Sequence, residues 1–168
     1  MAITQAMCGS YKKEITVGIH YWMIHSRGSA VDIAADSFYI AMFTNSATLN
    51  EDTTGYTASN EVTGTNYTAK GQTLASLTLG LADNSSTVPT AFLDFADTTW
   101  GSSTISSARG ALIYNFTLTA AGSGSGVNNA AYPAVAVLDF GGDKSSSSGD
   151  FTITYPANDA NNAMIRLA

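Results

Sequence analysis

Cysteine is nearly absent, with Cys8 the one thiol in 168 residues. A lone thiol excludes an internal disulfide, and without a CxxC pair or a Cys/His spacing no zinc site is expected. Charge is scarce too. Asp, Glu, Lys and Arg make up 12% of the chain, about half the usual share of a soluble domain. Only seven of these are basic, Lys12 and Lys13 alone are adjacent, and the net charge is −6. Phosphate binding needs a surplus of Lys and Arg, so nucleic acid is excluded as a direct partner. The longest apolar runs fall far short of a membrane span, so no membrane partner is expected. The opening "MAITQAMCGSYKKE" lacks the basic-then-apolar order of a signal peptide, and the expectation is a protein made and assembled in a cytoplasm.

What remains is apolar residues, 45% of the chain, set among Thr, Ser, Asn and Gly. That is enough to fold, and the length suits one domain, residues 1–168. Three sequons begin at Asn66, Asn84 and Asn115; they matter only in a secreted eukaryotic protein. One helix is legible, over residues 4–18. Met7, Tyr11, Ile15 and Ile19 recur on one face, Thr4 can cap the start and Gly18 the end, and Gly9 is the weak point. Residues 20–35 read in two ways. They are either a strand and loop packed on the core, or a loop whose apolar tip, Tyr21, Trp22, Met23 and Ile24, docks on a partner.

From residue 37 onward the pattern is β. "SFYIAMFT" (37–44), the alternating second half of 61–81, "TAFLDFADTTW" (90–100) and "ARGALIYNFTLT" (108–119) read as strands, the last buried on both faces. "AAGSGSGVNNAAY" (120–132) reads as a long hairpin loop. "PAVAVLDFGG" (133–142) and "DFTITYP" (150–156) read as two strands joined by a turn at "DKSSSSG", and "NAMIRLA" (162–168) as a last strand. One helix followed by about eight short strands predicts an all-β domain, an antiparallel sandwich or barrel.

The string "LDF" occurs twice, placing Asp94 and Asp139 between apolar residues. A catalytic or metal-binding pair is one reading, with Asp97, Asp143 and Asp150 as further oxygen ligands. These acids do not fall at every second residue as in a calcium loop. An aspartate at a strand end can instead accept hydrogen bonds from the turn that follows, and that structural reading is preferred. His20 and His25 are five apart, a spacing that serves neither a helical metal site nor one strand face. "GSGSG" fails the nucleophile elbow and the dinucleotide fingerprint, and no P-loop lysine is present. Neither catalysis nor a cofactor is expected.

The order of "MAITQAMCGSYKKEITVGIH", "SFYIAMFTNSATL", "YTASNEVTGTNYTAKGQTL", "TAFLDFADTTW", "ARGALIYN" and "AVAVLDFGGDKSSSSGDFTITYP" resembles small structural proteins of tailed bacteriophages. Residues 21–35 and 120–132 stand out against that pattern as insertions. The resemblance implies a virion component without catalytic residues, bound to the major capsid protein or to tail proteins and to copies of itself, trimers being common in this role. A capsid decoration or cement protein is the leading expectation. A tail, neck or fibre-attachment component, with "HYWMI" plugged into a ring, is the alternative. A host-glycan-binding sandwich built on an exposed Trp100 beside Asp97 and Asp94, or a glycan hydrolase there, is the reading from another class.

Overall fold

The computed structural model describes residues 3–23, 34–82, 89–119 and 130–167. The elements run β1 (Ala6–Met7), α1 (Gly9–Thr16), β2 (Phe38–Phe43), β3 (Gly64–Thr65), β4 (Gln72–Thr73), β5 (Thr78–Ala82), β6 (Thr90–Asp94), β7 (Thr98–Asn115), β8 (Ala134–Ile153) and β9 (Ile165–Leu167). The larger sheet has the order β1-β8-β7-β2-β4, with β3 also paired to β7; the smaller is β5-β6-β9. Every strand pair is antiparallel. The result is the all-β, sandwich-like domain with one short helix that the pattern predicts.

The centre is the pairing of β2 with residues 110–115 of β7, from Phe38 opposite Asn115 to Phe43 opposite Gly110. All six of these β7 residues are buried, as the apolar run implies. Directly opposed residues share a face. Tyr39, Ala41 and Phe43 therefore lie with Tyr114, Leu112 and Gly110 on one face, and Phe38, Ile40 and Met42 with Asn115, Ile113 and Ala111 on the other. The stretch after β2 covers the first face, where Tyr56 stacks on Tyr114 with 4.9 Å between centroids. Residues next to α1 cover the second, where Trp22 stacks on Phe38 at 3.5 Å. Trp22 also meets Phe95, just after β6, at 5.9 Å. The α1 layer thus lies between the two sheets.

Three local expectations change. The helix is shorter than 4–18, because Ala6 and Met7 pair with Val137 and Ala136 of β8 and Cys8 is extended. Ladder hydrogen bonds outweigh a helical periodicity already weakened at Gly9. Gly18 does sit past the end with a positive φ of 70°. Second, residues 90–100 are not one strand. The chain leaves the small sheet after Asp94, Ala96 N–H bonds to Ala75 O at 3.0 Å, and pairing resumes in the other sheet at Thr98.

Third, "DKSSSSG" does not turn. It runs through the middle of a 20-residue strand, β8, paired to the 18-residue β7. Turn formers are spent on bulges instead of a reversal. The register slips at several points between Trp100 and Gly110, and Ser102, Ser107, Ser148 and Gly141 take positive φ there. Hydroxyls fill the gaps in the ladder. Ser103 and Ser146 meet at 2.8 Å, Thr99 and Thr152 at 2.9 Å, and Ser107 N–H donates to Ser145 Oγ at 3.0 Å. Small polar side chains bond locally to a distorted backbone, which suits them to bulges.

Gly71 has φ +72°, and a Cβ there would collide with the Ile40 carbonyl oxygen of β2. Gly71→Ala is expected to destabilise the fold by about 2 kcal/mol or more, through backbone strain and overpacking. A lowered urea midpoint with an unchanged m-value checks this; an unchanged midpoint would contradict the close approach.

Candidate functional site

Asp94 and Asp139 do not form a joint site. Asp94 is 2% exposed at the end of β6, with Oδ1 accepting from Phe95 N–H at 2.9 Å and Oδ2 without a partner. Burial raises its carboxyl above the usual range, and the Phe95 N–H offsets this in part. Asp139 lies in mid-strand and half-exposed, bonded to Arg109 Nη1 at 2.8 Å and to Gly141 N–H at 2.9 Å. The other acids serve backbone in the same manner: Asp97 accepts from Tyr155 N–H at 3.0 Å and Asp150 from Ser102 N–H at 2.9 Å. Local backbone bonding is thus the common role, although Asp139 holds a bulge and not a hairpin end. Among the described residues no group of three or more His, Cys, Asp or Glu is placed to hold a metal ion.

Trp100 is 4% exposed, its ring packed between Tyr67 and Phe151. A sugar platform needs an open aromatic face, and this one is spent inside the core.

Among the described residues, a buried ionisable cluster gathers on α1 and the end of β7. His20 Nε2 and Glu14 Oε2 are 2.8 Å apart with both side chains fully buried. Asn115 Nδ2 lies 3.2 Å from His20 Nδ1 and 2.7 Å from Asp36 Oδ2, and Asn115 Oδ1 accepts from Thr117 N–H at 3.0 Å. These bonds fix the protons. The amide nitrogen must face the Asp36 carboxylate and the amide oxygen the Thr117 N–H. Asn115 therefore donates to His20 Nδ1, and the Nε2–H tautomer donates to Glu14. Burial lowers the His20 pKa, partly offset by Glu14 and Asp36. Both ring nitrogens are occupied, so the imidazole has no free lone pair for a substrate proton. Cys8 is fully buried, and burial together with Glu14 pushes its thiol up to about 12, which suppresses thiolate chemistry.

A second polar cluster pins the stretch 56–71 to the other face. Glu61 accepts from Tyr56 OH at 2.6 Å, Tyr67 OH at 2.8 Å and Lys70 N–H at 2.7 Å. Lys70 Nζ reaches Tyr132 OH at 3.0 Å, 4.6 Å from the centre of that ring. Sequence reading missed both clusters, although each leaves a trace. Glu14 lies three residues from Tyr11 on the face that packs inward, and Asn115 sits inside the apolar "LIYNF".

Of the proposed docking tip, Trp22 is packed on Phe38, Tyr21 is half-buried and Met23 is 58% exposed. Ile24, like His25, lies outside the described residues. Beside Trp22 an apolar groove of about 340 Å³ runs between α1 and the small sheet, with Tyr11, Ile15 and His20 on one wall and Leu79, Leu93 and Ile165 on the other. Ala91 and Leu167 also line the groove, and the small sheet's apolar face continues past it to Leu81, which directly opposes Ala91. Leu81 and Leu167 are 64% and 44% exposed. No known protein family, no curated protein and no solved structure matches the chain at a significant level.

Two outcomes follow. A histidine with a folded pKa below its unfolded value binds its proton more readily in the unfolded chain. The His20 contribution is then whole above about pH 6.5 and declines as pH falls below it. Urea unfolding at descending pH should show that decline, and His20→Gln should be flatter over the same window. Trp22→Ala should cost about 2–4 kcal/mol in the isolated protein, by loss of the Phe38 stack. Unaltered stability would instead return Trp22 to the role of a docking tip.

Proposed function

We propose that the chain is a structural subunit of a tailed-bacteriophage particle, a decoration or cement protein that stabilises the head through contacts with the major capsid protein and with its own copies. The observation that carries this reading is the placement of exposed apolar surface. Leu79, Leu81 and Leu167 stand on one face of the small sheet, on a chain with little charge elsewhere. Contiguous exposed apolar residues mark interaction surfaces. His20, with both ring nitrogens hydrogen-bonded inside, offers a partner no free base, so the surface open to it is chiefly one of shape and apolar contact. The phage-like order of its strings supports the same reading.

Such a subunit works by buried area. Each 1,000 Å² of apolar surface covered at subunit junctions is worth on the order of 25 kcal/mol before the entropy of assembly is subtracted. A net charge of −6 is no obstacle on an outer surface, away from the genome.

A second placement, in a tail, neck or fibre attachment, has Met23 in its favour, exposed beside the Trp22 anchor. Electron microscopy of purified particles from a phage encoding this chain separates the two. Density over the whole shell, in hundreds of copies, is expected. Density confined to the tail would give the second placement, and absence from the particle would overturn both.

A further inference from the structure

The exposed sheet edges of this protein are not alike. β8 beyond Val137 has no strand on its outer side among the described residues, since β1 pairs only with Val137 and Ala136. That long edge carries Asp139, Asp143, Lys144 and Asp150, and it is broken by positive φ at Gly141 and Ser148. Charges and bulges of this kind keep an edge from pairing with another chain. β9 is three residues long with Arg166 at its centre, and β4 has only two residues.

β5 has none of these protections. Among the described residues it is the outer strand of the small sheet, and all of Thr78–Ala82 is exposed or half-exposed. The twelve residues between Lys70 and Asp83 carry no charge and no proline. Leu79 and Leu81 are 45% and 64% exposed, and both lie on the sheet's apolar face. Gly80 between them is roofed by the Phe92 ring on the opposite face, so that side of the strand is already closed.

We propose that β5 is a self-association edge, at which two copies pair antiparallel about a two-fold axis through Gly80. The segment Thr-Leu-Gly-Leu-Ala is self-complementary in this register: Leu79 of one copy falls opposite Leu81 of the other. The row that is exposed in one copy, Leu167-Ala91-Leu81, then runs on into the row Leu79-Leu93-Ile165 of the second. The two small sheets become one six-stranded sheet with an unbroken apolar face. A second copy is favoured over another partner because two chains of charge −6 can approach closely only where neither carries charge, and this edge is such a place. The open ladder supplies the backbone hydrogen bonds.

The inference rests on the self-association part of the reading above and not on the place of the chain in a particle. The test uses the full purified chain. Sedimentation equilibrium at micromolar concentration should give twice the chain mass of 17.4 kDa. Leu81→Lys should weaken association at least about tenfold, since it sets a charge opposite Leu79 of the other copy inside the apolar row, with unchanged circular dichroism. Ser147→Lys, on the protected β8 edge, should leave association unchanged. Mixing Leu79→Cys with Leu81→Cys chains under oxidation should give a cross-linked dimer that neither gives alone. A monomeric wild type, a trimer, association indifferent to Leu81→Lys, or no cross-link in the mixture would each overturn the proposal. A dimer absent from phage particles would overturn the virion reading alone, and a monomer found on particles would overturn the dimer alone.

Discussion

Between Gly110 and Asn115, β7 has β2 on one side, β8 on the other and a packed layer on each face. No backbone group in that stretch can turn to water, so each depends on its ladder partner, and an unpaired one costs about 1–3 kcal/mol. Register on both sides is therefore fixed together. A slip by one residue would put Tyr114 where Asn115 meets His20, and Asn115 among the tyrosines. The two outer layers take their positions from this strand, Tyr56 through Tyr114 and His20 through Asn115.

The polar groups of the interior act as clasps. Glu14, His20, Asn115 and Asp36 join the helix layer to the sheet, and Glu61 with Tyr56, Tyr67 and Lys70 joins the opposite layer. The Glu14 carboxylate is fully buried, where an unpaired oxygen is expensive, and one is unpaired: Glu14 Oε1 has no hydrogen-bond partner. Buried polar groups of this sort select one arrangement among several apolar packings of similar energy, at some cost in stability. The Arg109–Asp139 pair, about a quarter exposed, is a weaker contributor.

Strand content, antiparallel pairing and, within 108–119, the doubly buried run at 110–115 were legible because apolar periodicity is set by burial, and burial is local to each strand. The closing strand was legible for the same reason: Ile165 is 2% exposed and its neighbour Arg166 is exposed. The Ser-rich middle of β8 was not, because serine and glycine serve a turn and a bulge equally well and only the partner strand decides between them. Residues 6–7 were misread because pairing with a strand 130 residues away leaves no mark nearby. The helix-side cluster escaped because it draws on distant residues, as Asp36 and Asn115 are, and the Glu61 cluster because its members fall on a stretch with neither a helical nor a strand period. The edge character of β5 is a property of sheet order, which no periodicity encodes.

Both segments that stood out as insertions are tied at the base. Tyr21 and Asp36 exchange two hydrogen bonds, Asp36 N–H to Tyr21 O at 2.7 Å and Tyr21 N–H to Asp36 Oδ2 at 2.9 Å. Tyr132 N–H meets Leu118 O at 2.7 Å at the foot of the other. Doubling the length of a tethered span adds only about 0.6 kcal/mol of closure entropy. Trp22 and Tyr132 pack against the core, so each span is held at its ends, and a change of length between the ties leaves the ladder beneath in register. The fold is in that sense a socket with two interchangeable fittings.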